Sequence, residues 1–525
     1  MRTSPSRGQI GLSRRKFLQA GLGGVALAAT GCAGRAERPT GKRPHILFIM
    51  ADQFRADCIG AEGNRIVRTP HLDRLAGEGV LFRCAYTAAP SCTPARAGLL
   101  TGLSPWHHGM LGYGEVADRY PNEMPRMLRE AGYYTAGIGK MHWHPQRNMH
   151  GFHEVLLDES GRVESPGFVS DYRQWFRSQA PDLNADATGI GWNDYDAKPH
   201  ALPERLHPTH WTGETAVQFL REYRREEPFF LKVSFARPHS PYDPPQRFFD
   251  MYAGADLPRA SVGAWAERHA QRGKPLPRDT WRGDLGEAQV RRSRQGYYGS
   301  VSFIDEEIGR LLETLAQRGW LDNTLILFTA DHGDMLGDHH LWRKTYAYEG
   351  AARIPMLVRW PEALAGAKRG QVLRQPVELR DVLPTLLDAA GVRVEEGRFD
   401  GRSLLDLVRG RTDGWRPFID MEHDVCYARE NHWNALTDGR FKYIFHAIDG
   451  EQQLFDLQDD AGEQRDLAKE PEHQALLRQW RGRMVAHLSE RGPPFVVSGD
   501  LAPRPQRTLY SPHYPRTPGS LFRPR

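Results

Sequence analysis

Four short apolar runs along the chain each lead into a charged or imidazole side chain. The runs are rich in strand-forming residues and occupy 45–51, 134–139, 229–235 and 325–330. The polar residues that follow them are Asp52, Lys140, His239 and Asp331. Helical patterns lie between the runs, at 69–76, 124–131 and 304–315. This alternation predicts an α/β fold with a large mixed, mainly parallel sheet sandwiched by helices, whose strand ends form one ligand-binding edge.

The pattern changes after about residue 395. Apolar runs at 433–445 and 453–457, joined by Asp-Gly pairs, predict antiparallel strands, and a helical pattern follows at 471–490. Residues 151–228 and 244–295 have weak periodicity and are interpreted as long loops that cap the ligand edge. The predicted divisions are an N-terminal segment and linker at 1–43, a main domain at 44–395, a smaller α+β domain at 396–490 and an extended Pro/Arg-rich tail at 491–525.

Charge is distributed unevenly between the N-terminal segment and the rest of the chain. Residues 1–43 contain nine Lys or Arg and one acid, although the net charge of all 525 residues is only +5. The remainder has 61 basic and 64 acidic residues. A weakly acidic body argues against nucleic-acid or membrane-surface binding.

The basic N-terminal segment resembles an export signal. Arg14 and Arg15 precede an apolar run at 20–30, as in twin-arginine signals, and Ala29-Thr30-Gly31-Cys32 resembles a lipoprotein cleavage box. The resemblance implies a bacterial protein that engages the twin-arginine export machinery and resides in the periplasm or on a membrane through a lipid anchor at Cys32. The alternative is a cytosolic protein with a disordered basic arm.

Cysteine spacing shows neither a zinc knuckle nor a disulfide ladder. Cys58 and Cys84 are interpreted as core thiols, whereas Cys92 stands in a polar turn, Ser-Cys-Thr-Pro, four residues before Arg96. Such a turn leading into a helix offers free N–H groups to an anion. The setting of Cys92 therefore indicates chemistry rather than packing.

The segment Cys92-Thr93-Pro94-Ala95-Arg96, with Leu100-Thr101-Gly102 after it, resembles the signature of type I sulfatases in the alkaline phosphatase superfamily. The resemblance extends over most of 45–489 and implies an alkaline-phosphatase-like fold. It also implies that a formylglycine-generating enzyme oxidises Cys92 to an aldehyde. One hydroxyl of the hydrated aldehyde then attacks sulfur, and deprotonation of the other expels sulfate.

The same resemblance implies a metal site and a set of sulfate-binding side chains. Its metal ligands are Asp52, modified Cys92, Asp331 and His332, with Ca²⁺ favoured and Mg²⁺ or Mn²⁺ as alternatives. Gln53 stands where many sulfatases have aspartate, and His332 where many have asparagine. Its catalytic residues, besides Cys92, are Arg96, Lys140, His142, His239 and Lys344. Lys140 binds sulfate, Arg96 holds the diol or sulfate oxygens, and His142 helps to collapse the hemiacetal. His239 lies near the leaving oxygen, and Lys344 binds sulfate and is a candidate to protonate the departing alcohol or phenol.

These residues predict a sulfatase that hydrolyses a small aryl or carbohydrate sulfate monoester. The runner-up is a phosphonate monoester or phosphodiester hydrolase with the same nucleophile. A rival of another class is an inactive sulfate-ester binding protein with unmodified Cys92.

Other polar residues are weaker candidates. His423, from the predicted second domain, is left outside the site, and Asp381 is interpreted as structural. His107 and His108 fit either a pocket or a turn. A polar loop beyond the metal site accounts for Asp334, Asp338, His339 and His340.

Overall fold

The structure is a computed structural model that describes residues 43–160, 162, 165–424 and 426–515. The predicted export signal and the anchor at Cys32 lie outside the described residues. Within the described part of the chain, no helix is long and apolar enough to cross a membrane.

Sixteen strands are found in the described residues. They are β1 (His45–Asp52), β2 (Val80–Phe82), β3 (Ala85–Tyr86), β4 (Tyr134–Gly139), β5 (Glu154–Leu157), β6 (Phe229–Pro238), β7 (Thr324–Ala330), β8 (Met356–Arg359), β9 (Gln371–Leu373), β10 (Val377–Glu378), β11 (Ile419–His423), β12 (Trp433–Thr437), β13 (Phe441–His446), β14 (Gln452–Asp456), β15 (Val496–Val497) and β16 (Asp500–Leu501). Eight of them form the main sheet, in the order β5-β4-β6-β1-β7-β8-β2-β9.

The main sheet is mixed and mostly parallel, as predicted. The neighbours β5, β4, β6, β1 and β7 pair in parallel, and β8 is antiparallel to both β7 and β2. All eight residues of β1 and all ten of β6 are buried. Since successive side chains point to opposite faces, both faces of the sheet are covered, which explains why these strands are almost continuously apolar.

Twelve α-helices accompany the strands within the described residues. They are α1 (Pro70–Glu78), α2 (Cys92–Thr101), α3 (Pro105–His108), α4 (Met124–Glu130), α5 (Asp171–Gln179), α6 (Pro208–Glu222), α7 (Gln246–Asp250), α8 (Glu287–Gln317), α9 (Glu349–Ala352), α10 (Val382–Ala389), α11 (Leu404–Val408) and α12 (Gln474–Leu488). The expectation of long loops at 151–228 and 244–295 is wrong in part, because α5, α6, α7 and the start of α8 lie there. Their apolar residues include aromatic side chains that pack locally, such as Tyr172, Phe176 and Trp211.

Strands β11 to β14 form a separate antiparallel sheet in sequence order, and α12 packs against β12 and β13. This agrees with the smaller α+β unit expected from the pattern, and β11 is an additional strand that the pattern did not indicate. The chain after Arg491 continues across the molecule: Leu111 N donates to Leu509 O at 2.9 Å, and Ser511 N donates to Gly109 O at 2.8 Å.

Candidate active site

Four adjacent strands deliver polar side chains to one edge of the main sheet. Asp52 ends β1, and Lys140, His239 and Asp331 directly follow β4, β6 and β7. The backbone locks these ends together, because His239 N donates to Asp52 O at 3.1 Å and Lys140 N donates to Ser234 O at 2.8 Å. Parallel strands in register therefore bring residues almost 280 positions apart into one site.

Asp52, Cys92, Asp331 and His332 form a buried cluster whose ligand atoms all lie within 4.8 Å of one another. The Cys92 Sγ is 3.2 Å from His332 Nε2 and 3.8 Å from Asp52 Oδ1. His332 Nδ1 donates to Gly333 O at 2.9 Å, so Nε2 offers its lone pair to the cluster. Two carboxylates, an imidazole and residue 92 around one point fit a divalent cation.

Arg96 and Lys140 neutralise the two carboxylates of this cluster. The Nε of Arg96 donates to Asp331 Oδ2 at 2.9 Å, its Nη2 donates to Asp52 Oδ2 at 3.3 Å, and Lys140 forms a short ion pair with Asp52. Burial by itself raises the pKa of Asp52, but Lys140, His239 and Arg96 outweigh burial and hold that pKa well below its ordinary value. Asp52 is therefore ionised at neutral pH.

Cys92 is the first residue of α2 and is only 2% exposed. Its thiol lies 4.0 Å from Lys140 Nζ. Burial and Asp52 raise the pKa of the thiol, whereas Lys140, Lys344 and His332 lower it, and the net effect is a lowered pKa. The Sγ therefore stands in a setting that favours an anion.

Lys344 reaches the same site from the loop after β7. Its Nζ donates to His239 Nε2 at 2.7 Å and to Gln53 Oε1 at 2.8 Å. His239 Nδ1 donates to Ser240 O at 2.9 Å, which leaves Nε2 as the acceptor. Burial and then Lys344 lower the pKa of His239 well below its ordinary value, so the ring is neutral at pH 7.

His142 follows Lys140 by two residues and is buried. Its backbone N donates to Glu159 Oε1 at 2.8 Å, and its ring contacts Tyr113 and Arg162. Burial, Arg162 and Lys140 lower the pKa of His142 well below its ordinary value. All six predicted catalytic residues and all four predicted metal ligands thus lie at this edge of the sheet.

Two further residues lie near the site: Trp192 was missed by the sequence analysis, and His423 was considered there and left outside the site. The Trp192 ring stacks on His239, with ring centres 4.0 Å apart and planes at 16°, and Lys140 Nζ lies 4.8 Å from the indole centre. His423 lies 2.8 Å from Ser91, the residue before Cys92. Trp192 and His423 lie far along the sequence from Cys92, in segments without a recognisable motif. Only their residue types could have indicated that they lie near the site.

The weaker candidates have structural partners. Asp334 accepts from Gln53 and from Tyr242, and Asp338 pairs with Arg55 and Arg294. Asp381 binds Arg416 and closes a capping box before α10, in agreement with the structural interpretation. His107 pairs with Asp400, and His108 is buried. None of these contacts adds a ligand to the cluster described above.

Two protein families match the chain. The family described as Sulfatase matches residues 44–392, and the family described as N-sulphoglucosamine sulphohydrolase, C-terminal, matches 337–490. The chain belongs to the sulfatase family, and it is a hydrolase of sulfate esters.

Named relatives cover most of the chain. An arylsulfatase of Clostridium perfringens is 39% identical over 86% of this chain and 95% of its own length. A choline-sulfatase of Rhizobium meliloti is 35% identical over 85% of this chain and 87% of its own length. The crystal structure of a phosphonate monoester hydrolase of Agrobacterium radiobacter aligns with a TM-score of 0.73 and 25% identity, covering 88% of this chain and all of the other. These matches confirm the expected superfamily and fold.

Proposed function

We propose that the chain is a formylglycine-dependent sulfatase that hydrolyses an aryl or carbohydrate sulfate monoester. One observation carries the proposal: Cys92 of the Cys-Thr-Pro-Ala-Arg segment stands at the first turn of α2, with its Sγ inside a buried cluster of two carboxylates and an imidazole. Five further polar side chains expected for this chemistry surround that point. The likeness to the Clostridium perfringens arylsulfatase supports the same class of reaction.

Modified Cys92 supplies the nucleophile of the proposed reaction. Its hydrated aldehyde offers one hydroxyl for attack on sulfur and a second whose deprotonation releases sulfate. A divalent cation held by Asp52, Asp331, His332 and residue 92 supplies Lewis acidity toward the sulfate oxygens. We favour Ca²⁺ because two of the ligands are carboxylates, with Mg²⁺ and Mn²⁺ as alternatives.

The remaining side chains bind and orient the sulfate group. Lys140 lies 4.0 Å from the position of the nucleophile and directs its ammonium group toward the entering sulfate. Arg96 holds the two carboxylates through hydrogen bonds of 2.9 and 3.3 Å and adds positive charge beneath them. The sequence predicted that Arg96 holds the diol or sulfate oxygens directly. In this proposal Arg96 instead aligns Asp52 and Asp331.

The leaving alcohol departs on the side of Lys344 and His239. Lys344 is hydrogen-bonded to His239 at 2.7 Å, so this pair can hold a proton between two nitrogens and pass it to the departing oxygen. His142, whose ring is neutral because burial and Arg162 lower its pKa, is assigned in this proposal to the proton of the second hydroxyl. Trp192 covers His239 and offers an aromatic surface to a ring-shaped alcohol.

Maturation and activity can be tested together. We expect enzyme co-produced with a formylglycine-generating enzyme to hydrolyse 4-nitrophenyl sulfate and to yield a Cys92 peptide with the lowered mass of the aldehyde. Cys92→Ser, the matched control, should fold but lose turnover by at least about a hundredfold, because a serine ester has no second hydroxyl to expel sulfate. Active native enzyme with an unmodified thiol would refute the mechanism. An enzyme that binds sulfate esters without turnover would support the binding-protein alternative.

A phosphonate monoester or phosphodiester hydrolase is the second candidate function. The alignment with the Agrobacterium radiobacter enzyme favours it, as does Gln53 in a position beside the cluster where many sulfatases have a second aspartate. Comparing kcat/KM for phenyl sulfate and a phenyl phosphonate monoester separates the two. A preference for phosphorus above about tenfold, or 1.4 kcal/mol, would reverse our order.

We also propose that the protein is exported, by the twin-arginine machinery, to the bacterial periplasm, free or anchored through Cys32. Arg14 and Arg15 ahead of a short apolar run support export, and the Ala-Thr-Gly-Cys sequence supports the anchor.

A further inference from the structure

A buried hydrogen bond ties the residue before the nucleophile to the C-terminal sheet. The Oγ of Ser91 lies 2.8 Å from Nε2 of His423, and both residues are fully buried. His423 Nδ1 donates to Asp424 O at 2.6 Å. Because Nδ1 carries the proton of the neutral ring, Nε2 is the acceptor and the Ser91 hydroxyl is the donor.

The backbone of the same turn has further anchors. Glu422, which neighbours His423 on β11, donates its N–H to Ala88 O at 2.8 Å, and Thr345 donates its N–H to Pro90 O at 2.7 Å. The turn that leads to Cys92 is therefore held by β11 and by the loop that carries Lys344. The Ser91 side chain supplies the contact closest in sequence to the nucleophile.

Ser91 is also the N-cap of α2, yet its hydroxyl does not cap the helix. Its carbonyl accepts the first helical hydrogen bond, from Ala95 N at 3.1 Å. An N-cap serine ordinarily turns its hydroxyl to the N–H groups of its own helix. Here that hydroxyl points to His423, which leaves the first N–H groups of α2 available at the site.

We propose that His423 is a positioning residue: its Nε2 holds the Ser91 hydroxyl and so fixes Cys92 among Asp52, Asp331 and His332. The expected effect on turnover rests on the proposed sulfatase function, whereas the expected effect on the position of Cys92 does not. A displaced nucleophile lowers the rate of the chemical step more than the affinity for substrate.

The test compares Ser91→Ala, His423→Leu, the double variant and His423→Gln, whose amide oxygen can replace Nε2 as acceptor. We expect each of the first two to lower kcat about tenfold per formylglycine, with KM within about twofold, as for the loss of one buried hydrogen bond. The double variant should be no slower than either single variant, and His423→Gln should recover most of kcat.

Crystal structures of the unmodified thiol forms give a readout that requires no turnover. In Ser91→Ala and His423→Leu, the side chain of residue 92 should leave its wild-type place beside His332. Wild-type kcat, multiplicative losses in the double variant or an unmoved residue 92 would overturn the proposal. If wild-type enzyme hydrolyses no sulfate ester, the proposed function fails, and the crystal comparison still decides the role of His423. Ser91→Ala covers the case in which His423→Leu does not fold.

Discussion

In the proposed reaction, Lys140 lies beside the sulfate group and Trp192 beside the departing alcohol. The Lys140 ammonium faces both the thiol position and the indole ring, at 4.0 and 4.8 Å. The indole in turn covers His239, the residue nearest the departing alcohol in our proposal. Lys140 therefore lies within 4.8 Å of both the thiol position and the indole, and the indole in our proposal faces the alcohol.

Replacing Trp192 should affect the alcohol more than the sulfate. We expect Trp192→Ala to raise KM for an aryl sulfate about tenfold, since a stacking partner worth about 1 kcal/mol or more is lost. Trp192→Phe, which keeps an aromatic face, should stay within about threefold of wild type. Steady-state kinetics on a planar aryl sulfate check this. Equal kcat/KM in the alanine variant would show that the ring has no part in binding.

Asp331 connects metal binding to Arg96. We expect Asp331→Ala to lose bound metal and to lower the rate by at least about a hundredfold, because a charged ligand disappears and Arg96 loses its 2.9 Å hydrogen bond to that carboxylate. Elemental analysis and kcat on the same sample provide the measurement. Asp322→Ala, an exposed aspartate just before β7 whose side chain is 98% exposed, is the matched control. Full activity of Asp331→Ala in the presence of a chelator would show that the cation is bound elsewhere.

Strand β6 contains a buried lysine, Lys232, between the apolar residues Leu231 and Val233. Lys232 is 4% exposed, and its Nζ lies 5.5 Å from the ring centre of Trp143 and 5.8 Å from that of Phe48. Burial, and then Arg96, lower its pKa from 10.5 to about 7. The unfolded chain therefore binds more protons than the folded chain between these pH values, and stability rises with pH there.

We expect Lys232→Met to stabilise the fold most at pH 7 and below, where the buried ammonium is most costly. The advantage should shrink by up to about 1.4 kcal/mol per pH unit as the pH rises toward 10. Thermal unfolding at pH 6.5 and 9.5 measures this, with exposed Lys274→Met as the control. A difference between wild type and Lys232→Met that does not change with pH would contradict the argument.

The sheet was predictable at its centre because β1, β4, β6 and β7 are almost wholly buried, and full burial produces apolar runs that can be recognised in the sequence. Helix α6 was missed because Thr209, Thr212 and Gly213 are poor helix formers, and the helix depends on packing against β6 and α8. Its buried residues do recur at helical spacing, but three of them, Thr209, Thr212 and Gly213, are not strongly apolar, so the pattern is weak in the sequence.

Site residues divide in the same way. Those at strand ends were predictable, because parallel strands share an edge and the sulfatase signature identified the edge. Trp192 and His423 were not, because their arrival depends on how a capping segment and the second sheet fold over that edge. The hydrogen bonds that join Lys344 to Gln53, and Gln53 to Asp334, could not be predicted either, because they depend on side-chain directions that only the structure shows.

The N-terminal segment predicts the route by which the protein is exported. We expect Arg14→Lys combined with Arg15→Lys to retain active protein in the cytoplasm, because the twin-arginine pathway reads the guanidinium pair rather than charge alone. Fractionation of cells followed by a sulfatase assay measures this. Changing Arg2 and Arg7 to lysine is the matched control. Unchanged export of the Arg14/Arg15 variant would reject the twin-arginine assignment.

The burial of residue 92 determines when, relative to folding, another enzyme can reach its side chain. A side chain with 2% exposure, at the start of a helix whose ten residues are all buried, cannot enter the pocket of another enzyme once the domain is compact. In the proposed maturation, oxidation of that thiol therefore takes place before the domain completes its tertiary fold. Under this proposal, chains that fold first keep the thiol, and the specific activity of a preparation measures the fraction of chains oxidised before folding.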